Sequence, residues 1–414
     1  MIMSAVVIIG GGQGGYLTAA SLRQYRFTGS ITLITDEHGL PYQRPPLSKA
    51  YLLGESDERR LLHRQEKWYA DQDVRLVHDP AVAIDRAGHT VELASGARIP
   101  YDHLVIATGA RNRALPVPGS DLEGVTGMRV KADADDLSSR LREGTKAIVV
   151  GAGFIGLEFA SVAAARGADV HVFELGDRPM ARAVSATTAE FFRATHEEWG
   201  VEFDFNHGLA SIDGKDGRVV GVTTDDGRTL PADVVVYGIG VIPNTEIAEA
   251  AGLAVSNGIE VDERLVTSDP DISAVGDVVS FPCAQLGGAM TRLESVQNAS
   301  DQARAVAARL TGDGGDYRTL PWFWSDQGHL KLQIAGVAHG YDHTVELPAE
   351  AGQKTVLCIK DGVLVAVETV NGPADHMIAR RLLAERPELS PEEAAAEDFD
   401  FRAWADSRVA VGAR

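Results

Sequence analysis

The sequence predicts an α/β fold in which two doubly wound, parallel-sheet domains are followed by a smaller α+β portion. Three observations carry the prediction. A glycine fingerprint occurs twice, as Gly10-Gly11-Gly12-Gln13-Gly14-Gly15 and as Gly151-Ala152-Gly153-Phe154-Ile155-Gly156. Each copy follows a short apolar strand, Ala5 to Ile9 or Ala147 to Val150, and leads into a helical stretch. An acidic residue then closes the next apolar strand: Asp36, with Glu37 beside it, after Ile31 to Thr35, and Glu174 after Asp169 to Phe173.

Each feature has a physical reason. The first glycine of a copy, Gly10 or Gly151, permits a tight turn; the second, Gly12 or Gly153, lets backbone approach a pyrophosphate; the third, Gly15 or Gly156, lets helix pack on strand. The phosphate meets unpaired N–H groups at the positive end of the helix dipole. A carboxylate about 20 residues further on accepts hydrogen bonds from ribose hydroxyls. Two such units make two Rossmann-like, dinucleotide-binding domains in one chain.

At 414 residues the chain fits two or three domains. A net charge of −20 argues against nucleic acid, whose phosphates are held by clustered Lys and Arg. The apolar run before the first glycines is too short for a targeting or membrane segment, so a cytoplasmic protein with no membrane partner is expected. Cys283 and Cys358 stand in no CxxC or metal-ligand spacing and read as small buried hydrophobes; no metal is expected.

Along the chain, residues 1–109 read as the first unit, with a helix from Tyr16 to Tyr25. Two prolines in Tyr42-Gln43-Arg44-Pro45-Pro46-Leu47-Ser48-Lys49 forbid a regular helix and predict an ordered loop or a sharp helix start. Leu104 to Ile106 reads as a buried strand ending at Ala107-Thr108-Gly109. Residues 110–240 form the second unit, whose last strand ends at Gly240. The chain then returns to the first unit over 241–319, where a short strand delivers Asp277 just after a glycine and a long helix runs from about Ser295 to Leu310. Residues 320–414 form the α+β portion, with strands at Leu330 to Ala335, Thr355 to Ile359 and Val363 to Val370, the last two joined by a Lys360-Asp361-Gly362 turn, and a helix at about Ala374 to Glu385.

These motifs, in this order, resemble those of FAD-dependent, NADH-using ferredoxin reductases of the putidaredoxin reductase and biphenyl dioxygenase reductase type, which share the glutathione reductase fold. The resemblance runs through both fingerprints, Arg44-Pro45-Pro46-Leu47-Ser48-Lys49, Ala107-Thr108-Gly109, Gly156-Leu157-Glu158, Asp177 to Arg182, Ala274-Val275-Gly276-Asp277, Glu294 to Ala299 and Pro321-Trp322-Phe323-Trp324-Ser325-Asp326-Gln327. It implies that the first fingerprint binds the FAD pyrophosphate, Asp277 the ribityl chain, and the second fingerprint NADH. It places Arg44 and Lys49 by the flavin, Glu158 by the nicotinamide, the N–H of Val296 at the pyrimidine end of the flavin, and Trp324 over the isoalloxazine on the acceptor side. The family often has Tyr after Ser-Asp-Gln, whereas this chain has Gly328, so a bulky ring is expected to be missing there.

NADH gives up two electrons as a hydride, while an iron–sulfur protein takes one at a time, and a flavin handles both. Lys49 and Glu158 are expected to pair near the flavin N5, with Lys49 stabilising negative charge on the reduced ring. Glu174 is expected to favour NADH over NADPH. Position 42 is Tyr, and no redox cysteine pair occurs, so thiol chemistry is not expected. The implied activity is electron transfer from NADH through FAD to a 2Fe–2S ferredoxin that supplies an oxygenase such as a cytochrome P450. Rubredoxin, a monodehydroascorbate-type acceptor, or NADH sensing as in apoptosis-inducing factor stay open as alternatives. The chain is expected to act as a monomer and to dock its partner transiently near Trp324, with Arg60, Arg304 and Lys331 as candidate contacts.

Overall fold

The computed structural model describes residues 3–412, with side-chain burial described through residue 408. The chain forms two compact units: Met1–Gln43, Arg59–Arg111 and Ile242–Pro321 make the first, and Arg44–Glu58, Asn112–Val241 and Trp322–Arg414 the second. The segment that carries Lys49 therefore groups with the second unit.

The first unit centres on a five-stranded parallel sheet in the order Ile272–Ala274, His103–Ile106, Ala5–Ile9, Ser30–Thr35, Val74–His78. Its fingerprint strand lies in the middle and is apolar on both faces, with Val6, Val7 and Ile8 nearly inaccessible, as a strand covered from both sides requires. The helix Gln13–Gln24 starts three residues before the expected Tyr16, because Gly14 and Gly15 are themselves helical. It packs on the long helix Val296–Leu310, which begins one residue after the expected Ser295. A three-stranded antiparallel sheet, Ala81–Asp85, Thr90–Leu93 and Arg98–Pro100, decorates this unit.

The second unit repeats the plan. Its parallel sheet runs Val201–Phe205, Asp169–Glu174, Lys146–Val150, Val234–Tyr237, Val125–Gly127, again with the fingerprint strand in the middle. The same unit holds a five-stranded antiparallel sheet in the order Trp322–Gln327, Leu330–Gly336, Val363–Val370, Lys354–Lys360, His343–Glu346. Its first strand carries the Trp324 motif and folds back on the next through a two-residue turn at Gly328 and His329, where Gly328 takes a φ of +55°. The helix Pro373–Leu382 continues as a 3₁₀ turn to Glu385, and a C-terminal helix, Phe401–Gly412, had no sequence signal. The two prolines produce a 3₁₀ turn at Pro45–Ser48, with Lys49 as its last cap. No described helix is long and apolar enough to cross a membrane.

Candidate functional site

The two glycine turns are built alike. A Cβ on Gly10 would lie 2.2 Å from the carbonyl oxygen of Ala107, and one on Gly15 would lie 1.8 Å from that of Gly10. In the second unit, a Cβ on Gly151 would meet the carbonyl oxygen of Gly238 at 2.6 Å, and one on Gly156 that of Gly151 at 2.1 Å. Only glycine tolerates such contacts, and Gly10 and Gly151 also take positive φ, +116° and +97°. The middle glycines differ: a Cβ on Gly12 would meet nothing within 4 Å, and one on Gly153 only the Gly238 oxygen at 3.8 Å. Both cap a 12-residue helix without any side-chain hydrogen bond to the first turn. Open space beside uncapped N–H groups fits a pyrophosphate in each turn. Ile155, in the first turn of the second helix, stays exposed.

The acidic strand ends are not equivalent. Gly10 donates to Ile34 and Gly151 to Phe173, so the residue in the place of Glu174 in the first unit is Thr35. Asp36 and Glu37 sit one and two residues further on. Asp36 is exposed, and Glu37 accepts from the Tyr42 hydroxyl at 2.5 Å. Glu174 accepts the backbone N–H of Ala152 at 2.8 Å and that of Gly176 at 2.7 Å.

Around the first turn, the hydroxyl of Thr108 donates to the Asn244 carbonyl, and the Asn244 amide returns a bond to the Thr108 carbonyl. Gly109, at φ +63°, also accepts from the Asn244 N–H. Asn244, to which the sequence alone assigns no role, clamps this turn. Ala107 is buried in the strand end. Asp277 lies half-buried in a 3₁₀ turn, Gly276–Val278, opened by Gly276 at φ +83°. Val296 is the first residue of its helix, after a Ser295 cap that binds the N–H of Asn298. In the second unit, Gly240 takes a φ of +99°, and its carbonyl accepts from Arg113.

The second unit also brings Lys49 and Glu158 together. Lys49 Nζ lies 2.6 Å from Glu158 Oε2, with the lysine side chain 18% and the glutamate 3% exposed. The carboxylate is held from every side: Ser48 Oγ donates to Oε2 at 2.5 Å and Ser325 Oγ to Oε1 at 2.7 Å. Neither serine had been given a role from the sequence, although both stand inside segments that carry the resemblance. Arg44 caps the same 3₁₀ turn and donates to the Arg129 carbonyl at 2.9 Å.

Trp324 is half-buried on the strand that carries Ser325, with Trp322 5.4 Å away by ring centroids. Trp322 packs against His376 and lies under the guanidinium of Arg380. Gly328 does lack a ring of its own, but Trp199 fills that space: a Cβ there would meet its ring at 2.8 Å. Of the candidate docking residues, Arg60 and Lys331 are exposed, and Arg304 is exposed and paired with Asp301. Cys283 and Cys358 are free and buried, and burial raises both thiols above their ordinary range.

Comparison with known proteins agrees with this geometry. Residues 4–303 match the pyridine nucleotide-disulphide oxidoreductase family and residues 322–405 the reductase C-terminal family. Rhodocoxin reductase of Rhodococcus erythropolis is 49% identical over 400 residues, 96% of this chain and 93% of that one. The ferredoxin reductase for the CYP199A2 system of Rhodopseudomonas palustris superposes with a TM-score of 0.94 at 47% identity, covering 97% of this chain and all of the other. Putidaredoxin reductase in its covalent complex with putidaredoxin superposes with a TM-score of 0.93 at 34% identity, over 98% and 99% of the two chains. With two dinucleotide turns and a C-terminal antiparallel sheet in place, the chain belongs to the FAD-binding, nicotinamide-dependent pyridine nucleotide-disulphide oxidoreductases.

Proposed function

We propose that this protein is an NADH-dependent ferredoxin reductase that passes single electrons to a 2Fe–2S ferredoxin supplying an oxygenase of the cytochrome P450 kind. The observation that carries the reading is the pair of glycine turns in a chain whose two cysteines are both buried. Two dinucleotides are held, while no thiol pair is set to receive electrons, so they leave to an external acceptor. The names of the similar proteins point the same way.

In this reading residues 1–109 and 241–319 hold FAD, residues 110–240 hold NADH, and residues 320–414 serve the acceptor side. Gly10, Gly12 and Gly15 take the FAD pyrophosphate, Asp36 and Glu37 its ribose, Asp277 the ribityl chain, and the Val296 N–H the pyrimidine edge. Ala107, Thr108 and Gly109 line the same cofactor. Gly151, Gly153, Ile155, Gly156 and Gly240 take NADH, and Glu174 accepts from the ribose 2′-OH. FAD, when bound, accepts a hydride and returns electrons singly. The protein's part is to orient and to exclude water. Lys49 presents a positive charge beside the ring, Glu158 fixes that ammonium, and Trp324 covers the acceptor face. The protein works in the cytoplasm as a monomer, with Arg60, Arg304 and Lys331 as candidate contacts for an acidic ferredoxin.

Anaerobic titration tests the reading. One equivalent of NADH should bleach the flavin absorbance, and a 2Fe–2S ferredoxin should restore it within seconds. Restoration by rubredoxin alone, or by no carrier, would refute it.

A further inference from the structure

The Glu158 carboxylate is the end of a longer chain of hydrogen bonds. Ser325 donates to it, and Gln327 Nε2 donates in turn to Ser325 Oγ at 3.2 Å and to the Met180 sulfur at 3.7 Å. That leaves Gln327 Oε1 as an acceptor, and His196 Nε2 lies 2.8 Å from it. The imidazole must therefore carry its proton on Nε2. Its other nitrogen, Nδ1, is buried with no partner. Burial pushes the His196 pKa down to about 4, which keeps the ring neutral. Glu158 and every uncharged member of this chain are buried.

Every donor in this chain points the same way, from His196 through Gln327 and Ser325 to the carboxylate. Aligned hydrogen bonds polarise one another in a low-dielectric interior. The outer end is closed: Trp199 packs on His196 at 4.8 Å and occupies the space above Gly328, with Phe203 on another side at 6.1 Å. Such a dry terminus gives protons no way out to solvent, so transport is not the chain's role. The chain ends on Glu158 Oε1, and Lys49 pairs with the other oxygen of the same carboxylate, Oε2.

We propose that His196, Gln327 and Ser325 are positioning residues for the Lys49–Glu158 pair, a one-way chain of donors that runs along one face of the strand Trp322–Gln327 and fixes the orientation of the Glu158 carboxylate. The Gly328 and Trp199 combination belongs to it, because a side chain at 328 would displace the ring that seals His196. The proposal rests on the flavin-side role of Lys49 given above.

Two measurements test it. In protein labelled with 15N-histidine, with the His196 signal identified by its loss in His196→Asn, the wild type should show the Nε2-protonated tautomer. In Glu158→Gln, whose amide donates to Ser325 and reverses the chain, the His196 signal should move toward the Nδ1-protonated form. A His196 signal indifferent to Glu158→Gln would overturn the proposal, since packing alone does not connect groups three hydrogen bonds apart. In stopped-flow reduction by NADH, Ser325→Ala should slow the reaction about tenfold, as expected for loss of a hydrogen bond to a charged group, and Gln327→Met about threefold, as expected for a neutral bond one step further out. Neither should slow it further in a Lys49→Met background. Additive losses there would contradict the chain. Normal reduction by Lys49→Met alone would instead sink the role given to Lys49, and the tautomer measurement would still decide whether the chain exists.

Discussion

Glu174 accepts the backbone N–H of Ala152 at 2.8 Å, so the acid at the end of one strand is tied to the second residue of the glycine turn it serves. Its other oxygen takes the N–H of Gly176. One carboxylate thus shapes the turn, and in the proposed reading it also accepts from the ribose 2′-OH of NADH. Glu174→Ala removes both functions. We expect kcat/KM for NADH to fall about a hundredfold, in line with charged hydrogen bonds worth roughly 1.5–3 kcal/mol. The preference over NADPH should shrink because the charge that repels a 2′-phosphate is gone. Steady-state kinetics with both cofactors check this, and an unchanged ratio would count against the assignment.

Lys49→Met leaves a buried carboxylate with two serine donors and no cation. FAD should remain bound, because the glycine turn proposed to hold its pyrophosphate, Gly10 to Gly15, lies elsewhere in the chain. Reduction by NADH in a stopped-flow instrument should slow about a hundredfold, the scale seen when a donor to developing charge is removed. Wild-type rates would show that the ion pair is structural only.

Trp324→Ala is expected to separate two activities. Turnover with ferredoxin should fall about tenfold, on the scale of a lost aromatic contact at a docking face. NADH oxidation by ferricyanide should change little. Equal losses with both acceptors would mean that the ring serves packing alone.

Acid should destabilise this protein early. Burial depresses His103 to about 3, and His196 and His376 to about 4, from an ordinary 6.5. A depressed folded-state value means that the unfolded chain takes up protons first. The stability these residues provide is complete above pH 6.5 and is lost as pH falls toward 4. Each contributes a slope of up to about 1.4 kcal/mol per pH unit in that window. Urea unfolding between those limits should show the fall, and His376→Gln should show a shallower one. A flat profile would contradict the burial argument.

The two dinucleotide turns were readable because close backbone contacts demand glycine at Gly10 and Gly15, and at Gly151 and Gly156, while Gly12 and Gly153 keep open space at the helix start. The ladder register was not readable. Counting about 20 residues from the glycines finds Asp36, whereas the strand pairing puts Thr35 in the place of Glu174. The strand Trp322–Gln327 escaped a strand reading because Trp322, Phe323 and Trp324 blur the alternation of faces. Lys49 and Glu158, 109 residues apart, met through the resemblance and not through any spacing rule. His196 had no signal at all: a lone histidine in a helix looks like any other until Gln327 is placed against it.

The most direct test is NADH-driven cytochrome c reduction by the FAD-loaded protein, with and without 2Fe–2S ferredoxins, while oxygen consumption is followed. The account predicts a reduction rate that depends strongly on ferredoxin, with little peroxide formed. Fast flavin reduction followed by slow reoxidation with every ferredoxin would contradict it and would point to an NADH-sensing flavoprotein.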